Sequence, residues 1–387
     1  MENTGLFRSF IIESHEKHPE LFPPGFTGQF VFKGFIRSKK QNGFRTRRIR
    51  LKNTEGAVYQ IRPSFMMPYM TAMTENVEKA LYLRRWGVPF DALAYVFGRD
   101  AMFWYRTYVS LGRNSVTGTA VRHPGNLPKH LIGDEKHTRQ QGEKVYIATT
   151  VAQNCILGAD ITPDAGTESL TEGYRAFMEE SLDVDSDYRP ETVNTDGWNP
   201  TRQAWRNLFP AVTVILCFFH AFLKIRDRCR RSPELLREIG DKVWNIWHSE
   251  TVAQFSQRIR RLREWADNHL KEDPVKDKVI RLCKKAPEFK VALYKPDAYR
   301  TSNMLDRLMN YQDRILYAMQ YFHGTQASAR LYVRSMAIVW NFHPYGTKTG
   351  RQHPGRCSPF KDINGFCYHD NWLQNLLVAA SIGGYRT

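Results

Sequence analysis

Three aspartates occur in separate segments of the chain, each where a secondary-structure element is predicted to begin or end. Asp134 and Asp196 each close a short run of strand-forming residues, and Asp306 lies early in a predicted helix. Carboxylate oxygens are the ligands that Mg²⁺ prefers. Three that converge could hold two Mg²⁺ ions about 4 Å apart, which would activate water or a 3′-hydroxyl and stabilise the leaving oxygen of a phosphodiester. An aspartate at a strand end is ordinary by itself, so the prediction depends on the elements that surround all three.

Residues 130–220 alternate short apolar runs with amphipathic segments, a pattern typical of an α/β sheet. Strands are predicted at 131–134, 145–151, 155–162, 192–196 and 212–218, and helices at 168–182 and 201–208. This order indicates a mixed sheet, in which functional side chains gather at strand ends. Residues 221–300 show helical periodicity without a strand pattern, and residues 301–387 return to helices before a loop-rich tail. We therefore predict an α/β core at 130–220, interrupted by an all-helical insertion and completed by 301–387.

The charge of the chain points to a polyanionic partner. Its 387 residues include 56 Lys and Arg against 39 Asp and Glu, a net charge of +17, which favours nucleic acid before an anionic membrane. No apolar run reaches 18 residues and the first residues are not typical of a signal peptide, so we expect no membrane partner. Six thinly spread cysteines indicate reduced thiols. A cytoplasmic, nucleoid-associated protein is predicted.

The first 114 residues are predicted to bind DNA. Residues 33–52 hold nine Lys or Arg and no acid, which favours a small basic β region within 1–73, after an irregular entry segment at 1–30. Helical patterns separated by glycine turns predict a helix-turn-helix at 74–114, followed by a linker at 115–129. The predicted DNA contacts, which include two cations from beyond residue 114, are Lys39, Lys40, Arg45, Arg47, Arg48, Arg50, Arg84, Arg85, Arg99, Arg106, Lys136 and Arg139.

Four segments taken in order resemble the bacterial and archaeal insertion-sequence transposases that have an RNase H-like DDE core. They are LIGDEKHT, VNTDGWNPTRQAWRNLFP, VILCFFHAFLKIRDR and TSNMLDRLMNYQDRILYAMQYFHG, and the resemblance covers about residues 60–385. It implies metal-dependent DNA cleavage and strand transfer at terminal inverted repeats, with Asp134, Asp196 and Asp306 as the catalytic and metal-binding acids. Two Mg²⁺ or Mn²⁺ ions are implied, as is a homodimer or larger assembly on double-stranded DNA. Cys217 and His220, the C-x2-H pair, are implied to be structural or to position DNA.

Two departures from the family pattern leave alternatives open. Asp306 stands where relatives commonly have Glu, so Asp313, one heptad later, is a second candidate for the third acid. Residues 47–69 resemble the end of a zinc ribbon but contain no cysteine, so no zinc is expected there. By residue type alone, a tetrahedral zinc site could form from a tail cluster, although its spacing is irregular; its members are His353, Cys357, Cys367 and His369. Glu135, next to Asp134, is predicted to face the other side of the sheet and not to bind metal.

Two other functions fit the same sequence. One is a non-catalytic DNA-binding protein, a decayed or domesticated relative of the transposases. The other is an RNase H-like nuclease that cuts DNA without strand transfer. All three functions predict salt-sensitive DNA binding. Metal-dependent cleavage would exclude the first alternative, and joining of the cut ends would exclude the second.

Overall fold

The computed structural model describes residues 3–37, 43–52, 57–67, 70, 72–271 and 273–384. The strands are β1 Phe30–Arg37, β2 Arg45–Leu51, β3 Val58–Ile61, β4 His130–Gln140, β5 Glu143–Ala152, β6 Cys155–Thr162, β7 Thr192–Thr195 and β8 Thr213–Leu216. The helices are α1 Thr4–Lys17, α2 Thr74–Arg85, α3 Phe90–Phe97, α4 Ala101–Ser110, α5 Val116–Ala120, α6 Thr167–Val184, α7 Asn199–Leu208, α8 Phe218–Arg226, α9 Pro233–Trp247, α10 Val252–His269, α11 Pro274–Lys284, α12 Ala286–Lys290, α13 Asn303–Ala318, α14 Gln326–Phe342, α15 Thr347–Gln352, α16 Pro359–Asn364 and α17 Trp372–Ile382. No helix among these residues is long and apolar enough to cross a bilayer.

A five-stranded mixed sheet forms the centre of the α/β core. Its strand order is β6-β5-β4-β7-β8, with β4, β5 and β6 antiparallel and β4, β7 and β8 parallel. All five predicted strands are therefore present, but the first is longer than predicted. β4 does not end at Asp134; it continues to Gln140 and pairs with β5 along its length. The charged residues after Asp134 hid this extension because they break the apolar pattern, whereas the pairing needs only their backbone groups.

The amino-terminal region is a helix packed on a three-stranded antiparallel sheet of order β1-β2-β3. The small basic β region is thus present, but the segment predicted to be irregular contains helix α1, whose start is capped by the Asn3 side chain. Arg47 is buried, and its guanidinium lies 4.5 Å from the centre of the Phe32 ring. We predicted a DNA contact at Arg47; burial among aromatic rings corrects that prediction. Lys39 and Lys40 lie outside the described residues.

The three predicted helices of 74–114 are present as α2, α3 and α4, but they do not have a core of their own. Their buried side chains share one apolar cluster with α14, near the other end of the chain. Arg84 of α2 is one of the residues that join these helices to α14. It is 1% exposed, its Nε donates to the Tyr332 hydroxyl at 3.1 Å, and its guanidinium lies over the Phe90 ring. Arg84 was predicted to contact DNA, and its place in the core corrects this.

The segment predicted to be a linker, 115–129, is also part of the core. It contains α5, all of whose residues are buried. Beyond Ala120 the chain is exposed only in part before β4 begins. The small residues of α5 explain the close packing: a Cβ at Gly118 would lie 2.4 Å from the carbonyl oxygen of Gly383. Glycine and proline at 115–129 therefore mark close packing and short turns and not a flexible connection.

A buried ion pair fixes α5 to the core. Arg334 on α14 donates to Glu180 on α6 at 2.6 Å, and both side chains are at most 5% exposed. The second Glu180 oxygen accepts the Ser115 hydroxyl and the Thr117 amide. Arg334 also donates to the carbonyl of Gly112. The pair therefore satisfies backbone groups on both sides of the turn between α4 and α5.

The insertion is all-helical, as predicted. The described residues of 221–300 contain helices and turns but no strand, and they have an apolar core of their own. Its boundary differs slightly from the prediction, because α8 already begins at Phe218, directly after β8 and Cys217. The insertion therefore begins directly after the edge strand β8, without a linker.

The buried imidazole of His343 leads us to predict that the protein loses stability in mild acid. Burial, with a smaller effect from the charge of Arg85, lowers the pKa of this imidazole from 6.5 to about 3. Below pH 6.5 the unfolded chain binds a proton at His343 that the folded chain does not. The free energy of unfolding therefore has its full value above pH 6.5 and decreases as the pH falls. Between pH 6.5 and 5 we expect a loss of about 2 kcal/mol from this group. The measurement is urea unfolding at several pH values for wild type and His343→Gln; equal pH dependence of the two would contradict it.

Candidate active site

Three residues whose side chains could take part in a reaction lie side by side along the three parallel strands. In the pairing of β4 with β7, Ile132 lies opposite Asn194, and in that of β7 with β8, Thr195 lies opposite Leu216. Continued along the strands, these registers set Asp134 opposite Asp196 and Asp196 opposite Cys217. Residues level on neighbouring parallel strands point to the same face. The two acids therefore lie on the same face of the sheet, close enough for the charge of Asp196 to raise the pKa of Asp134.

The Asp134 carboxyl is mostly buried and lies close to other acids. Burial, then the negative charge of Asp196 and more weakly that of Asp306, raises its pKa from 3.8 to about 6. The backbone amide of Glu135 donates to its Oδ1 at 2.8 Å, which partly opposes this. A carboxylate that burial and like charges destabilise gains most from a nearby cation.

Asp196 stands on a tight turn between β7 and α7. Its Oδ1 accepts the amide of Trp198 at 2.7 Å, which closes the turn. Gly197 has a φ of +87°, a left-handed conformation that favours glycine. A side chain there would also press on Leu216. The sequence Asp-Gly-Trp thus fixes the direction of the carboxylate directly after the strand.

The third acid comes from helix α13, which packs across the same face of the sheet. Asp306 is half-buried, and its charge is close enough to contribute to the raised pKa of Asp134. Burial raises the pKa of Asp306 itself, and the charge of His220 opposes this. Asp313 is engaged elsewhere, because its carboxylate forms an ion pair with Lys136 at 2.6 Å. Asp306 is therefore the better placed of the two candidates for the third position.

Cys217 and His220 form a hydrogen-bonded network with Ser302, which the sequence prediction missed. The Ser302 hydroxyl lies 3.4 Å from Cys217 Sγ and 3.2 Å from His220 Nδ1, and the Ser302 amide donates to the same sulfur. Ser302 is completely buried directly before α13. The network ties β8 and α8 to the helix that carries Asp306. Its only sequence signal was the Thr-Ser-Asn start of that helix.

The network shifts the pKa values of Cys217 and His220 in opposite directions, each toward its charged form. The hydrogen bond with Cys217, and further the charges of Asp134 and Asp306, raise the pKa of His220 to about 9, although burial opposes this. Burial would raise the pKa of the Cys217 thiol, but the hydrogen bonds and charge of His220, with Ser302, outweigh it and lower that pKa. A positive imidazolium therefore stands next to the acids.

Glu135 faces the opposite side of the sheet, as predicted. It accepts hydrogen bonds from the hydroxyls of Tyr174 and Thr201 at 2.6 and 2.8 Å, between α6 and α7. Gly133 on the same face lets Trp205 approach, since a Cβ there would lie 2.6 Å from the indole nitrogen. This face of β4 packs against α6 and α7, and the opposite face carries Asp134.

The donor set suits a hard divalent cation. Asp134 and Asp196 each accept a single hydrogen bond, through Oδ1, and Asp306 accepts none through its side chain among the described residues. Several carboxylate oxygens are thus uncommitted and share a negative environment. As the side chains stand, however, no group of three or more His, Cys, Asp or Glu in the described ranges is close enough to hold a metal ion. A cation would have to draw these carboxylates together.

The tail residues considered for zinc form no such group either. Cys357 and Cys367 are neighbours, with sulfur atoms 3.9 Å apart. His369, however, accepts the amide of Asn371 through Nδ1. The structure thus brings together two of the four residues as a thiol pair.

The predicted DNA-binding cations fall into different environments. Exposed side chains are those of Arg45, Arg50, Arg99, Arg106 and Arg139. Arg48 and Arg85 are partly buried, and Arg85 packs against the rings of Trp86 and Trp340. Lys136 is held by Asp313. These five side chains are thus at the surface, whereas Arg47 and Arg84 are buried and support the fold.

No protein-family model matches the chain, and no curated protein does.

Proposed function

We propose that the chain is a DNA transposase of the DDE/DDD type, which cuts and joins DNA at the terminal inverted repeats of an insertion sequence. The observation that carries the proposal is the position of Asp134 and Asp196, level on neighbouring parallel strands, with α13 bringing Asp306 to the same face. A mixed sheet of this strand order, interrupted by a helical insertion, supports the RNase H-like core that the resemblance implies. The net charge of +17 supports a DNA partner.

The residues of the site have separable roles in this proposal. Asp134, Asp196 and Asp306 would together hold two Mg²⁺ or Mn²⁺ ions. Bound there, such ions supply activation of water or a 3′-hydroxyl and stabilisation of the leaving oxygen. His220, whose pKa is raised to about 9, would add a positive charge beside the acids. Ser302 holds His220 and the start of α13 in register, so it is a positioning residue.

Metal-dependent cutting and joining is the test of this function. The purified chain would be incubated with labelled duplexes from both flanks of its gene and a supercoiled target plasmid, with Mg²⁺, Mn²⁺ or EDTA. We expect nicks at a repeat boundary and joined products with either metal, and neither with EDTA. Duplexes with scrambled ends are the control for sequence recognition.

Other results would assign a different function. Binding of the flanks without cutting in either metal would mean a non-catalytic DNA-binding protein. Cutting without joined products would mean a nuclease without strand transfer.

A further inference from the structure

A cavity of about 210 Å³ opens directly beside Asp196, between the end of β8 and helices α8 and α11. Its apolar floor includes Leu216 and Phe289. Four cations line it: Lys224, Lys278, Arg281 and Lys285. None of them was among the DNA contacts predicted from the sequence. We call this feature the α11 groove.

The cations of the α11 groove are arranged in a row. Lys278, Arg281 and Lys285 are spaced three and four residues apart, so they share one face at the end of α11. At about 1.5 Å per residue, the row extends for about 10 Å. Lys224 adds a fourth charge from α8, where it is exposed. The buried face of α11, with Val279, packs into the core of the insertion.

These cations are not used within the described part of the protein. None of the four forms an ion pair there, whereas their neighbours do: Lys276 contacts Asp267, and Arg226 and Arg230 contact Asp227. Arg281 and Lys285 lie at the carboxyl end of α11, where positive charges stabilise a helix through its dipole. This effect does not account for Lys278 or for Lys224 on another helix. Four positive charges and the one carboxylate of Asp196 line the cavity, so its net positive charge favours an anion.

We propose that the α11 groove binds successive phosphates of the DNA strand that leads to the acids. The groove adjoins Asp196, so a strand lying in it would continue to the proposed catalytic face. The cations would offset the repulsion between the phosphates and the acids. This inference rests on the proposed function, and it makes the helical insertion a DNA-binding part of the enzyme that contacts DNA of any sequence.

Salt dependence of binding tests the α11 groove. The triple variant Lys278→Gln, Arg281→Gln, Lys285→Gln would be compared with wild type on a fluorescein-labelled 40-base-pair duplex of random sequence, by anisotropy at several NaCl concentrations. Each lost phosphate contact lowers the slope of log K against log salt by about 0.9, so we expect a slope smaller by about 2 to 3. The matched control carries glutamine at three exposed cations of the same insertion, Arg261, Lys271 and Lys284, and should keep the wild-type slope.

Protection from acetylation tests the same contact in the unmutated chain. Wild type would be treated briefly with an acetylating reagent, with and without the duplex, and its lysines read by mass spectrometry. We expect the duplex to reduce modification of Lys278 and Lys285 several-fold and to leave Lys271 and Lys284 unchanged.

The outcomes separate this inference from the proposed function. Equal salt slopes for the two triple variants, or equal protection of all four lysines, would overturn the α11 groove even if wild type cuts DNA. A reduced slope with selective protection would support the groove, and would do so even if the wild-type chain proved unable to cut.

Discussion

Replacing Asp134 with asparagine will reduce metal-dependent DNA cleavage by at least about 10³-fold, because metal-ion stabilisation of the transition state is worth several kcal/mol. Asparagine keeps the size of the side chain and its oxygen can still accept the Glu135 amide. It removes the negative charge through which the site would hold its cations. DNA binding should stay within about twofold of wild type, since phosphate contacts dominate affinity. The measurements are cleavage of the flank duplexes and anisotropy titration of the same variant.

Removing this charge should not harm the fold. Burial and the neighbouring acids raise the pKa of Asp134 to about 6, so its charged form is disfavoured when no cation is present. Asp134→Asn should therefore unfold at the same denaturant concentration as wild type or a higher one. A loss of activity that comes with a loss of stability would not support a catalytic role.

The neighbouring residue provides a matched control. Glu135→Gln changes an adjacent carboxylate on the other face of β4, where it contacts Tyr174 and Thr201. Glutamine retains an acceptor oxygen for both hydroxyls, so this variant should cut DNA at close to the wild-type rate. If both variants lost activity equally, or if Asp134→Asn cut normally, the acids on this face would not be the catalytic site.

The largest loss of stability should follow from breaking the buried ion pair between Glu180 and Arg334. Glu180→Leu leaves the guanidinium buried without its acid and removes the acceptor of Ser115 and Thr117. Loss of one partner of a buried pair typically costs about 3 to 5 kcal/mol. We expect this decrease in the free energy of unfolding, measured by urea titration.

Two further variants show whether the pair itself is responsible. Glu180→Leu combined with Arg334→Met removes both charges and should recover part of the lost stability. Glu172→Gln removes an exposed acid of the same helix that pairs with Arg175, and should cost at most about 1 kcal/mol. If Glu180→Leu cost no more than Glu172→Gln, the pair would not hold α5 in place.

Asp134 and Asp196 could be placed on adjacent strands from sequence because an apolar run with a clear local pattern precedes each of them. The apolar runs before Asp134 and Asp196 indicate adjacent buried strands, and strand ends in a mixed sheet gather at one edge. The continuation of β4 to Gln140 had no such signal, since its outer residues are charged and only Thr138 among them is buried. Local pattern thus indicates the two adjacent strands but not the full hairpin of β4 and β5.

The buried cations could not be predicted, because their partners are distant in sequence. Arg84 stands in an ordinary amphipathic helix, and its buried hydrogen bond joins it to Tyr332, 248 residues later. Ser302 likewise depends on Cys217 and His220, which belong to another element. The α11 groove is predictable in part from the spacing of its lysines and arginine, but its position beside Asp196 depends on how the insertion packs.

The packing of the first helices on α14 also sets the order in which the protein can be completed. Arg84 and its partner Tyr332 are 248 residues apart, so α2, α3 and α4 leave the ribosome long before the helix that covers them. At a synthesis rate of about 5 to 20 residues per second, their apolar faces stay uncovered for roughly 10 to 50 seconds. During that interval they depend on chaperones or on transient contacts. A fragment that ends at residue 129 would lack α14, so helices α2, α3 and α4 should be produced only with the rest of the chain.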